Sequence, residues 1–154
     1  MHARESDLTG PVRTFLEVRG YSVLDEVVVG GRRADLVGIG ETVAAVELKL
    51  RDWRAALRQA TAYQLGAEYA WVAMPLAAAA IALRYRDRFE REGVGLLGVV
   101  GTECRTLIEA RPSPRLLPPL EDTARAAWSV AKAFRSAMAS TEDSVPEEPA
   151  GSPL

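Results

Sequence analysis

Residues 4 to 19 carry apolar side chains at Leu8, Val12, Phe15 and Leu16, the 3.6-residue stripe of an amphipathic helix, and Gly20 supplies a C-terminal stop. Pro11 lies within that stripe and marks either the first turn of the main helix or a kink. The period then changes to two. YSVLDEVVV (21–29), a turn at Gly30-Gly31, RADLVGI (33–39), a turn at Gly40-Glu41-Thr42 and VAAVELKL (43–50) predict three strands joined by tight turns.

Helical spacing returns over 52–67, with Asp52 placed to cap it, and EYAWVAMP (68–75) predicts a fourth strand. A third helix follows over 77–92, closed by Gly93, and then two short strands over 94–100 and 104–110 around a turn near Gly101. PSPRLLPPL (112–120) holds four prolines and reads as a stiff connector. Residues 121–140 form a last amphipathic helix, whose apolar side carries Ala124, Ala127, Trp128, Ala131, Phe134 and Met138 and is free to pack on its own domain or on a second copy as a homodimer. The acidic, proline-bearing segment 141–154 is nearly free of large apolar residues and reads as a disordered tail. One domain over 1–111 is thus expected, with the connector, helix and tail appended.

Composition changes this picture in two places. The net charge is −2, yet four of the 21 acidic residues lie in the tail, so residues 1–140 hold all 19 basic residues against 17 acidic ones. That balance neither demands nor excludes a nucleic-acid partner. Only Lys49 and Lys132 are lysines among those 19; a chain that otherwise uses arginine places a compact ammonium at position 49. No run of 18 uncharged apolar residues and no signal-peptide core are present, so the expected location is the cytoplasm, without a membrane partner. The lone Cys104 agrees with a reducing compartment and is expected to be a small buried side chain.

The chemistry concentrates in VELKL (46–50). Val46, Leu48 and Leu50 point to one face of a strand, Glu47 and Lys49 to the other. If Ile39 and Val43 flank a three-residue turn, antiparallel partners sum to 82 and Asp35 falls opposite Glu47, with β-carbons about 5 Å apart. Two carboxylates across a ladder repel, which favours a bound proton or cation; oxygen ligands suit Mg²⁺ or Mn²⁺. Lys49 shares their face, within reach of a metal-bound water or a phosphate oxygen. Glu5 lies on the stripe of the first helix that must face the sheet, whereas Glu17 is turned away from it by about 120°. On the second helix Gln59 and Tyr63 form an i, i+4 pair that projects together.

An acid on a first helix, then Asp, then Glu-x-Lys on the next strand, then a helix with Gln and an i+4 Tyr resembles the PD-(D/E)XK nuclease superfamily, the restriction-endonuclease-like fold, over roughly residues 5 to 75. The motif's proline is Ala34 here. The resemblance implies an α/β domain with a mixed central sheet flanked by helices. It also implies a Mg²⁺-dependent (or Mn²⁺-dependent) phosphodiesterase acting on nucleic acid, DNA ahead of RNA. Asp35, Glu47 and the Leu48 backbone carbonyl would hold the metal, with Glu5 as a further acid. Lys49 would activate the attacking water or steady developing charge, and Gln59 would be an auxiliary polar residue.

Plainer readings stand beside these. Glu47 and Lys49 taken alone form a solvated ion pair of little energetic consequence. The Arg84, Arg86, Arg88, Arg91 series alternates with Asp87, Glu90 and Glu92 and reads as i,i+4 surface pairing, and Trp53, Trp71 and Trp128 read as packing residues. The alternative to an enzyme is a catalytically silent nucleic-acid-binding or assembly module of the same fold.

Overall fold

The alternation read over residues 21–50 folds as an antiparallel meander inside a larger sheet. The computed structural model describes residues 4–143, with side chains described for 4–140. The elements run α1 (Ser6–Val18), β1 (Ser22–Val29), β2 (Arg32–Ile39), β3 (Val43–Leu48), α2 (Trp53–Tyr63), β4 (Tyr69–Pro75), α3 (Leu76–Ala82), α4 (Arg86–Glu92), β5 (Gly95–Val100), β6 (Glu103–Ile108) and α5 (Pro118–Asp143). The six strands lie in sequence order. β1, β2 and β3 pair antiparallel, β3–β4 and β4–β5 pair parallel through the helical crossovers, and β6 returns antiparallel beside β5. The sheet is mixed and flanked by helices, as expected, with an added C-terminal helix.

Each face of the sheet has its own core. On one, α1 buries Leu8, Val12 and Leu16 against Leu36, Ala44, Val46 and Leu48, each such side chain stabilising the fold by about 1.5–3 kcal/mol. On the other, α2 contributes Trp53, Ala56, Leu57, Ala60 and Tyr63, joined by Ala79, Phe89 and Ala124. β3 is buried along its whole length, so Glu47 enters the α2 side of a fully covered strand. Asp52 caps α2, its Oδ1 accepting from the Ala55 amide at 3.0 Å, a contact of about 1 kcal/mol.

Several boundaries differ from the pattern. α1 runs continuously through Pro11. β3 ends at Leu48 instead of residue 50, because the chain turns there toward the capped start of α2. α2 stops at Tyr63, four residues early, in turns through Leu65 and Gly66. The helix expected over 77–92 is two helices separated by a 3₁₀ turn, Leu83–Tyr85. That turn sets Tyr85 against Trp53, with ring centroids 4.5 Å apart and planes inclined by 23°. The connector is shorter than expected: Pro118 and Pro119 open α5, since proline in a first turn has a suitable φ and forfeits no helical hydrogen bond. α5 continues to Asp143; the remainder of the expected tail, 144–154, lies outside the described residues. Among the described residues no helix is long and apolar enough to cross a membrane. Cys104 is half-buried, and burial pushes its thiol up to about 11, so it is a poor nucleophile near neutrality.

Candidate active site

Leu36↔Val46, Val37↔Ala45, Gly38↔Ala44 and Ile39↔Val43 pair across β2 and β3, which is the register summing to 82. The ladder ends at Leu36↔Val46. The next position on β2 is Asp35 and the next on β3 is Glu47, so the two carboxylates face each other just past the last rung.

The backbone around Asp35 is irregular on both sides. Toward β1, Asp25↔Leu36 and Val27↔Ala34 are paired while the intervening Glu26 adopts a left-handed φ of 53°, a conformation that costs a non-glycine residue on the order of 1 kcal/mol. Toward β3, the ladder gives way to a side chain: the Leu48 amide donates to Asp35 Oδ2 at 2.7 Å. The following amide, Lys49 N–H, donates to the Ala73 carbonyl on β4 at 3.0 Å. Backbone groups alternate direction along a strand, so the Leu48 carbonyl points with its amide toward β2, beyond the last rung.

Glu47 is the deepest member of the set, 7% exposed. Tyr63, on α2, donates its hydroxyl to Glu47 Oε2 and also lies 3.0 Å from the Arg33 carbonyl. Burial pushes the Glu47 carboxyl up to about 7; the Tyr63 hydroxyl opposes the rise, Asp35 adds to it, Lys49 lowers it and Glu5 raises it. Asp35 is also raised, first by burial, against the Leu48 amide, a hydrogen bond with Glu47 and the charge of Lys49; Glu26 adds to the rise. Burial and the neighbouring Glu47 likewise raise Tyr63, so it remains a hydroxyl donor.

An open cleft of about 380 Å³ leads to this pair, lined by Glu5, Ser6, Asp25, Glu26, Asp35 and Leu48 among others. Of the residues singled out in the sequence, Glu5, Asp35 and Leu48 line this cleft, Glu47 lies buried, and Lys49 is half-buried with its charge acting on both carboxyls. Gln59 is half-buried on α2 one turn before Tyr63; the residue of that helix that touches Glu47 is Tyr63. Glu26 is a fourth acid that the pattern did not mark, since a strand's alternation gives no sign of a left-handed residue within it.

The donor set fits a hard divalent cation. Asp35 Oδ2 accepts from Leu48 and Glu47 Oε2 from Tyr63, and the two carboxyls also hydrogen-bond each other, a contact that a bound ion would replace. Mg²⁺ binds through one or two carboxylates while keeping several waters. Among the described residues no group of three acidic, histidine or cysteine side chains forms a ready-made metal cage.

No protein-family model and no curated protein matches the chain. Among solved structures it is similar to the SPO1766 protein of unknown function from Silicibacter pomeroyi, with a TM-score of 0.68 and 17% identity over 96% of this chain and 99% of that one. The likeness is one of fold. The resemblance to PD-(D/E)XK nucleases rests on the residues alone.

Proposed function

We propose that the protein is a Mg²⁺- or Mn²⁺-dependent nuclease that hydrolyses phosphodiester bonds of nucleic acid, DNA being the first substrate to test. One observation carries the reading: the β2–β3 register sets Asp35 opposite Glu47 at the end of the ladder, with both carboxyls raised and both under the field of Lys49. Two acids so placed repel each other once both are ionised, which favours a proton or a cation held between them.

Asp35 and Glu47 would hold the ion, with the Leu48 carbonyl and Glu5 as further oxygen donors. A bound divalent ion supplies Lewis acidity toward a phosphodiester and lowers the pKa of a coordinated water. The chain's own groups do the rest. Leu48 N–H and Tyr63 O–H each fix one carboxyl oxygen, holding the two acids in place. Lys49 brings a positive charge to the same face, where it stabilises the negative charge that develops on phosphate oxygens or orients the attacking water.

Calorimetric titration of Mn²⁺, together with cleavage of linear, branched and single-stranded DNA and of RNA in Mg²⁺, Mn²⁺ or EDTA, tests the proposal. Asp35→Asn, Glu47→Gln and Lys49→Ala should each abolish metal-dependent cutting. Absence of Mn²⁺ binding would sink the reading; nucleic-acid binding without cutting, unaltered in all three variants, would establish the silent module instead.

A homodimer is supported by a separate feature. Val130, Phe134 and Met138, 70%, 66% and 50% exposed, form an i, i+4, i+8 row on α5, the spacing of a helix–helix seam. Sedimentation should show a dimer that Phe134→Glu dissociates.

A further inference from the structure

A positively charged surface, apart from the acidic cleft, lies on the face of the sheet covered by α2 and α4. Arg54 and Arg58 stand one turn apart on α2, and Arg88 and Arg91 stand one turn apart on α4. All four, with Trp53 and Glu92, line one open groove of about 480 Å³. None of the four lies within 4 Å of a carboxylate among the described residues.

Three of the nearby acids are engaged elsewhere, while Asp87, beside Arg88 on α4, makes no ion pair among the described residues. Glu92 Oε2 takes Arg115 Nη2 at 2.9 Å, Glu90 takes Arg86 Nε at 3.6 Å and Asp52 caps α2. The helical pairing expected along α4 is realised by Arg86 alone among the described residues, and Arg88 and Arg91 make no ion pair there. Two of the guanidiniums rest on aromatic rings: Arg54 Cζ lies 4.8 Å from the Trp53 centroid and 5.5 Å from Tyr85, and Arg88 Cζ lies 5.8 Å from Trp53. Such contacts orient a guanidinium without neutralising it.

We infer that this groove binds the phosphate backbone of a single nucleic-acid strand. Charge complementarity selects a polyanion, and the guanidinium fork matches phosphate oxygens. Two rows of two charges, spaced along the helix by about 6 Å on α2 and about 4.5 Å on α4, suit an extended chain of repeating charge better than one compact anion. Tyr85, 39% exposed and stacked on Trp53 at the groove's edge, offers an outer face to a base. The inference rests on the proposal that the substrate is a nucleic acid, and not on cleavage itself.

Fluorescence anisotropy of a labelled oligothymidylate, titrated with the full-length protein in EDTA across a range of salt, tests it. Arg58→Ala/Arg91→Ala and Arg54→Ala/Arg88→Ala should each weaken binding at least about tenfold. Each should also lower the salt slope by roughly 1.4, at about 0.7 per phosphate contact on a single strand. The Arg58/Arg91 pair touches neither aromatic ring, so it reads the groove even if the other variant folds poorly. Arg105→Ala, whose partner is Glu103 on β6, should change neither quantity. No binding by the unaltered protein, or unchanged affinity and slope in the Arg58/Arg91 variant, overturns the groove. Asp35→Asn should bind as the unaltered protein does while losing metal-dependent cutting, so failure of the groove and failure of the nuclease reading give different results.

Discussion

The Tyr63 hydroxyl donates to Glu47 Oε2, joining α2 to the buried acid of β3. The ring fills the core with 2% of its surface exposed, so Tyr63→Phe conserves packing and removes only the hydroxyl. A buried acceptor left unsatisfied costs about 1–3 kcal/mol. The hydroxyl also holds the Glu47 carboxyl down; without it, Glu47 should lose its proton at a pH above about 7. Tyr63→Phe is therefore expected to lower the melting temperature and to move the rising limb of the pH–cleavage profile to higher pH. An unmoved limb would mean that Glu47 is not the group titrating in the active protein.

Glu47 gives the metal-free protein a definite pH dependence. Its carboxyl stands at about 7 in the folded chain against 4.5 unfolded. A group raised in this way stabilises the fold while protonated: the contribution is whole below about pH 4.5 and is lost as pH climbs through about 7. The loss is of order 3 kcal/mol. Urea denaturation in EDTA should show stability falling between pH 5 and pH 8, and Glu47→Gln should flatten that decline. Mn²⁺ should stabilise more at pH 8 than at pH 5, since it competes with the proton for the same oxygens.

Asp35→Asn separates function from stability. The asparagine retains an oxygen for the Leu48 amide, now received at 2.7 Å by Asp35 Oδ2, while it removes the charge that raises Glu47. At pH 8 without metal the variant should be at least as stable as the unaltered protein. Cutting should nonetheless fall at least about 100-fold, and Mn²⁺ affinity with it. Should the variant unfold readily, Asp35 would be a structural anchor of the β2–β3 end and not a ligand held at an energetic cost.

The parts of this architecture that were legible in the sequence are those fixed locally. A three-residue turn between Ile39 and Val43 leaves one register that keeps Val37, Ile39, Val43 and Ala45 on a common buried face, and that register places Asp35 opposite Glu47. Asp52 before an apolar-periodic run signals its helix in the same local way. What escaped the sequence depends on elements meeting across the fold. Nothing in the run WRAALRQATAY says that Tyr63 and not Gln59 reaches β3, because the choice depends on how α2 crosses the sheet. Arg54 and Arg58 lie about thirty positions before Arg88 and Arg91, and each pair looks like an ordinary solvated helix face until α2 and α4 frame one groove. The break at Leu83–Tyr85 likewise follows from Tyr85 meeting Trp53, a contact outside any local window.

The β1–β2 turn backs directly onto the end of α2 that carries Tyr63. Gly30 has φ +60, and a β-carbon there would stand 2.5 Å from the Ala62 carbonyl oxygen and 3.2 Å from Leu65 Cβ. Gly31, with φ +83, would meet nothing within 4 Å. Gly31→Ala therefore reports left-handed strain alone, about 1–2 kcal/mol, whereas Gly30→Ala adds a clash with backbone that must shift, about 1–3 kcal/mol more. Because Ala62 adjoins Tyr63, that shift should also loosen the hydroxyl's hold on Glu47, so Gly30→Ala should move the cleavage pH profile in the direction given by Tyr63→Phe while Gly31→Ala leaves it in place. Urea denaturation and the pH profile together decide the matter: equal costs and equal profiles for the two alanines would show that the turn does not position α2 over the acids.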